Sequence, residues 1–151
     1  MKQILAAAAC CVFFACASND AKITPPEIQF VQLSGPADQN YTPGDIEVQY
    51  GLRIANRSAE TITLRNVQLR SVGAGGAYRL LPRTYYFERE IKPEQYEDVT
   101  FWAKAVASGD AFAPDATAPI TVRVTAYFET PRGGFRKVLT TMLEQRGELG
   151  R

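Results

Sequence analysis

After Pro25-Pro26 the chain runs as short alternations of apolar and polar residues separated by turn residues. No stretch sustains a 3.6-residue apolar period, so the pattern predicts strands rather than helices. The clearest run is Ile46 to Ala55. There Ile46, Val48, Tyr50, Leu52 and Ile54 alternate with Glu47, Gln49, Gly51, Arg53 and Ala55, which buries one face and leaves the other largely wet. An earlier run, Glu27 to Ser34, stops at Gly35-Pro36, and Thr42-Pro43-Gly44-Asp45 is a turn signal before the next strand. From Thr61 to Val72 the apolar positions change from even (Ile62, Leu64) to odd (Val67, Leu69). A parity change inside one extended run predicts a bulge near Arg65-Asn66. Tyr78 to Leu81 makes a short strand stopped by Pro82 and followed by Arg83 to Ile91; the turn Lys92-Pro93-Glu94-Gln95 then introduces a strand from Asp98 to about Val106. Ile120 to Glu129 and Phe135 to Leu143 form a predicted hairpin across Thr130 to Gly134, and the charged tail from Glu144 is expected to fray.

Seven or eight such strands without helices predict an all-β fold: a single immunoglobulin-like two-sheet sandwich of antiparallel strands over 27–143. A length of 151 residues with 46% hydrophobic content suits one domain of this kind. Asn56 closes a long strand, and Ile91-Lys92-Pro93 precedes the strand containing Val99 to Ala103. In these features the chain resembles bacterial immunoglobulin-like or fibronectin-like envelope domains and, more faintly, the late-embryogenesis-abundant sandwich. The immunoglobulin cysteine pair is missing from the core region, and Trp102 falls late for the usual central position.

The N-terminus carries a different signal. Lys2 supplies one positive charge, Ile4 to Ala15 is unbroken apolar or small sequence, and a small-residue cluster leads into Ser18-Asn19-Asp20. This is the three-part layout of an export signal, and the run is too short to span a bilayer. Val12-Phe13-Phe14-Ala15-Cys16 resembles the lipobox of bacterial lipoproteins, with Ala15 suited to its position and Phe13 and Phe14 departing from the usual residues. The resemblance implies a signal and lipobox region at 1–16, acylation of Cys16, a tether at 17–26, and membrane attachment through that lipid. The protein would then sit in the cell envelope, outer-membrane-anchored and facing the periplasm. Ala15-Cys16-Ala17 also has the small-x-small form of an ordinary cleavage site, which would release a soluble periplasmic or secreted chain starting at Ser18.

Composition narrows the chemistry. There is no histidine, so no imidazole acts as base, proton shuttle or metal ligand. The three cysteines, Cys10, Cys11 and Cys16, all lie within the export signal, which leaves the domain without disulfides or cysteine-rich zinc sites. Lys plus Arg number 17 against 16 Asp plus Glu, giving no global attraction to nucleic acid. No nucleophile elbow or paired-acid motif is present, so the expectation is a protein that is not an enzyme, needs no cofactor and holds no metal.

Sandwich domains work through loops and outward faces. Strand parity turns Trp102 outward with Thr100 and Lys104, Tyr127 outward with Thr121, Arg123 and Thr125, and Tyr86 outward with Thr84, Glu88 and Glu90. Tyr86, Trp102 and Tyr127, together with Phe112 in the long loop Ser108 to Pro119, form the candidate binding surface for an envelope protein or a glycan. Cross-strand packing of the rings over the stems of Arg123 and Lys104 would explain the same residues without a ligand. The segment Arg79 to Arg89 mixes arginine with aromatic residues, but Glu88 and Glu90 offset its charge, and salt-bridged strand faces are expected there. Asn40-Tyr41-Thr42 and Asn56-Arg57-Ser58 match glycosylation triplets.

Overall fold

A computed structural model describes residues 24–35, 45–73, 76–107, 118–144 and 148–149. Eight antiparallel strands pair into two four-stranded sheets. In chain order they are β1 (Glu27–Ser34), β2 (Asp45–Ala55), β3 (Ile62–Ser71), β4 (Tyr78–Leu80), β5 (Arg83–Ile91), β6 (Tyr96–Ala107), β7 (Ile120–Thr130) and β8 (Gly133–Leu143). One sheet has the order β1-β2-β6-β4 and the other β5-β3-β7-β8. The chain therefore crosses between layers at five of its seven connections, as in immunoglobulin-like sandwiches.

The alternation read from the sequence generates the core. Val48, Tyr50, Leu52 and Ile54 of β2 meet Val122, Val124, Ala126 and Phe128 of β7 in one buried layer. Phe101 of β6 is the aromatic link between the sheets, with its ring centroid 4.7 Å from Tyr85 and 5.7 Å from Phe87 of β5. The predicted bulge is present: β3 shifts register between Leu64 and Asn66 against both of its neighbours. This shift keeps Ile62 and Leu64 on the inner side before it and Val67 and Leu69 on the inner side after it.

Two boundaries differ from expectation. β6 starts at Tyr96 rather than Asp98, because Tyr96 and Glu97 extend the pairing with Ala55 and Ile54. The hairpin between β7 and β8 tightens to Pro131-Arg132, since Thr130 still pairs with Gly133. Gly133 supplies the positive φ of 128° that the turn needs, and the Thr130 hydroxyl accepts from the Arg132 amide at 3.1 Å and donates to the Gly133 carbonyl at 3.0 Å. Within the tail expected to fray, residues 148–149 touch the sandwich. The Gln29 side-chain amide donates to the Glu148 carbonyl at 3.3 Å, and Leu149 lies over Gly51 on the outer face of β2. Gly51 makes this possible, because a Cβ there would stand 3.1 Å from a Leu149 methyl. At the other end, Pro26 of the expected tether is already buried.

Asn56 locks the end of the sandwich where β1 begins. Its side-chain amide donates to the carbonyls of Glu60 (2.7 Å) and Ile91 (2.9 Å), and its side-chain oxygen accepts from the Ser58 amide at 2.9 Å. The buried, fully engaged amide excludes Asn56 as a glycosylation acceptor, and Asn40 lies outside the described residues. A second polar cluster sits inside the core: Tyr50 donates to the Tyr78 hydroxyl at 2.7 Å, and Tyr78 in turn donates to the Gln32 side-chain oxygen. Burial pushes both phenols far above their usual range, Tyr50 further through the neighbouring Tyr78, so these groups are structural and stay protonated.

Candidate functional site

The outward side of the sheet β5-β3-β7-β8 carries the densest arrangement of recognition chemistry. The β3 bulge decides what it presents, because after the register shift Asn66, Gln68 and Arg70 face outward. Register then fixes their neighbours. Thr84, Gln68, Thr125 and Val138 form one row across the four strands, and Tyr86, Asn66, Tyr127 and Arg136 form the next. In a third row Arg70 stands directly opposite Arg123, with Thr140 beyond it. Of these side chains, Gln68, Arg70, Thr84, Arg123, Thr125, Tyr127, Arg136 and Val138, with Pro82 before β5, line a shallow groove of about 620 Å³.

The charge of the groove is one-sided. Arg70, Arg123 and Arg136 line it with their guanidiniums, and among the described residues no carboxylate does. Among the described residues none of the three makes an ion pair; Arg123 reaches only the Thr140 hydroxyl at 3.4 Å, while Arg83, at the start of β5, turns to the inner side of the sheet over the Tyr85 ring at 5.7 Å. Like charges directly opposite on adjacent strands are unfavourable by a few tenths of a kcal/mol or more. Elsewhere the same domain neutralises several of its arginines. Arg65, on the same face, reaches Glu129 at 2.6 Å and Glu88 at 3.5 Å. Arg53, on the other sheet, grips Asp98 through two bonds of 2.7 and 2.6 Å. Those bonds hold the Asp98 carboxyl below its usual range and raise Arg53 further.

Tyr86 and Tyr127 belong to this face. Tyr86 is 80% exposed, while Tyr127 is half-buried and donates to the Gln68 side-chain oxygen at 3.3 Å. Trp102 also points outward, at 49% exposure, but it lies on β6 opposite Gln49, on the far side of the sandwich. The three aromatics therefore do not form one surface. Phe112 and Cys16 lie outside the described residues. Sequence reasoning missed the arginine cluster because its members come from three strands. The shared parity of Arg123 and Tyr127 was a visible clue, but the apposition of Arg70 and Arg123 exists only once the strands are in register.

No family model and no curated protein matches the chain. Solved structures do share its architecture. The structural-genomics target SoR45 is 14% identical with a TM-score of 0.53, covering 82% of this chain and 88% of its own. A protein from Archaeoglobus fulgidus is 12% identical with a TM-score of 0.52, covering 82% and 97%. A Bordetella pertussis protein given the provisional name ApaA is 12% identical with a TM-score of 0.51, again covering 82% and 97%. At such identities the likeness establishes the two-sheet fold alone.

Proposed function

We propose that this chain is a non-catalytic binding module of the cell envelope, exported by its N-terminal signal and held by a lipid on Cys16, that takes an anionic partner on the outer face of β5-β3-β7-β8. The observation that carries the reading is the apposition of Arg70 and Arg123 in a groove that, among the described residues, no carboxylate lines. Two facing guanidiniums repel each other when the groove is empty, and an anion between them converts repulsion into paired, charge-assisted hydrogen bonds. The export reading is supported separately by the charged start, apolar run and small-residue cluster ending near Cys16.

Retention on an immobilised polyanion tests the binding role. With formal charges of 17 and 16, the whole chain has little net attraction to such a matrix near pH 8. Salt-sensitive retention that disappears in Arg70→Gln/Arg123→Gln supports the groove, and retention unchanged in that variant refutes it. Mass spectrometry of the mature N-terminus tests the anchor: an acylated Cys16 is expected, and a free Ser18 would replace the lipid-anchored reading with a soluble exported one.

A further inference from the structure

Resting on that reading, we propose that the groove's ligand is an extended anionic glycan, an oligosaccharide with carboxylate or phosphate groups on successive sugars, laid across the strands. The first argument is the spread of positive charge. Arg70, Arg123 and Arg136 lie on β3, β7 and β8 respectively, with Arg136 four residues along β8 from Thr140, the neighbour of Arg123. Neighbouring strands are about 4.8 Å apart and residues rise about 3.4 Å along a strand, so Arg70 and Arg136 sit roughly 17 Å apart on the face. One phosphate or carboxylate cannot satisfy guanidiniums at that separation, whereas a repeating anion can.

The second argument is what lies between the charges. Gln68, Thr84 and Thr125 form a neutral row of amide and hydroxyl groups suited to sugar hydroxyls. Tyr127 borders that row, and Tyr86 extends the aromatic character toward the sheet edge. Aromatic faces take the apolar side of a sugar ring while polar neighbours take its hydroxyls. An acidic peptide is a poorer fit, because extended peptides add to sheet edges through backbone bonds, and this groove crosses a sheet face.

The third argument is orientation. β1 begins at the end of the sandwich that also holds Asn56, the Lys92–Gln95 turn and Arg132, the last tied to Glu60 at 2.5 Å. Arg123 is seven residues along β7 from Thr130 at that end. At about 3.4 Å per residue it stands roughly 24 Å from the point where the tether enters. With Cys16 as the anchor, Arg70 and Arg123 therefore lie toward the end of the sandwich farther from the chain's entry, where a polymer beyond the membrane reaches them more readily than lipid headgroups do.

The test is calorimetric titration of the processed chain and its variants with defined probes. Hexagalacturonate represents the charged glycan and cellohexaose its neutral counterpart. Inorganic phosphate, poly-L-glutamate and phosphatidylglycerol vesicles represent the other anions. At about 50 mM salt, hexagalacturonate is expected to bind at least tenfold tighter than cellohexaose, phosphate, poly-L-glutamate or vesicles, and to weaken strongly at about 500 mM. Arg70→Gln/Arg123→Gln is expected to weaken it about tenfold or more, and Tyr127→Ala several-fold. Thermal unfolding of each variant checks that the domain is intact, and Arg123→Gln alone provides a milder substitution should the double variant fail to fold. Equal or tighter binding of poly-L-glutamate or vesicles would overturn the glycan assignment while leaving an anion-binding module. Binding of none of the anions would overturn both, and glycan binding indifferent to all three substitutions would overturn the site.

Discussion

Replacing Tyr78 with phenylalanine removes one oxygen from the centre of the sandwich. The oxygen accepts from Tyr50 at 2.7 Å and donates to Gln32, and all three side chains are at most 2% exposed. Without it, the Tyr50 hydroxyl and the Gln32 oxygen both lose their partner, and among the described residues the Gln32 amide nitrogen has none to begin with. A buried polar group left unsatisfied costs about 1–3 kcal/mol, so Tyr78→Phe is predicted to destabilise by about 2–4 kcal/mol. Tyr50→Phe removes only the outermost donor and is predicted to cost about 1 kcal/mol. The two changes must then be non-additive in a particular direction. With Tyr78 already phenylalanine, Tyr50→Phe removes an orphaned hydroxyl, so the double variant is predicted to be more stable than Tyr78→Phe by about 1 kcal/mol or more. Urea unfolding of the four proteins measures the cycle. A double variant less stable than Tyr78→Phe refutes the chain of donors and acceptors. The same burial makes a pH prediction. Both phenols are raised in the folded state above an unfolded value near 10, so their contribution is intact below that pH and is lost as pH rises beyond it. Ultraviolet titration is expected to show them ionising only together with unfolding.

Asp98 gives the acidic counterpart. Its depressed folded-state pKa contributes stability above the unfolded carboxylate value and loses it as pH falls through the folded one. Asp98→Asn is therefore expected to be less stable than the parent at neutral pH, with the gap closing below about pH 4; a gap constant in pH would contradict the ion-pair account. Neutralising one of the facing arginines, Arg123→Gln, is predicted to raise stability by about 0.2–1 kcal/mol at low salt and by nothing measurable at high salt, read from thermal melts in each. Deleting residues 148–151 removes the Glu148 contact and the Leu149 cover of Gly51, and is expected to lower stability by about 1 kcal/mol by urea titration, with no loss of strand signal in circular dichroism.

Strand positions were legible because period-two patterning is a local property. Ile46 to Ala55 needed only its own residues, and the bulge announced itself as the parity change between Leu64 and Val67. The outward placement of Tyr86, Trp102 and Tyr127 followed from the same rule. Their assembly into one surface did not, because parity states which side of its own sheet a residue occupies and not which sheet it belongs to. Trp102 on β6 and Tyr127 on β7 share an outward sense and face opposite directions. Long-range features left the weakest trace. Gly51 read as one more wet position, and the returning Leu149, with Leu33 beside it, accounts for the missing side chain there. Tyr50 read as one more apolar position and Tyr78 as the start of a short strand, and their shared hydrogen bond joins residues 28 positions apart.

The claim on which the functional reading rests is that Arg70, Arg123 and Arg136 act as one anion site. Arginine side-chain N–H resonances, followed by NMR while hexagalacturonate is added, test it most directly. These three are predicted to shift together and saturate at one ligand concentration, while Arg53 and Arg65, already held by Asp98 and Glu129, stay in place. Shifts that merely follow each arginine's exposure, or that move Arg65 as far as Arg123, would contradict it.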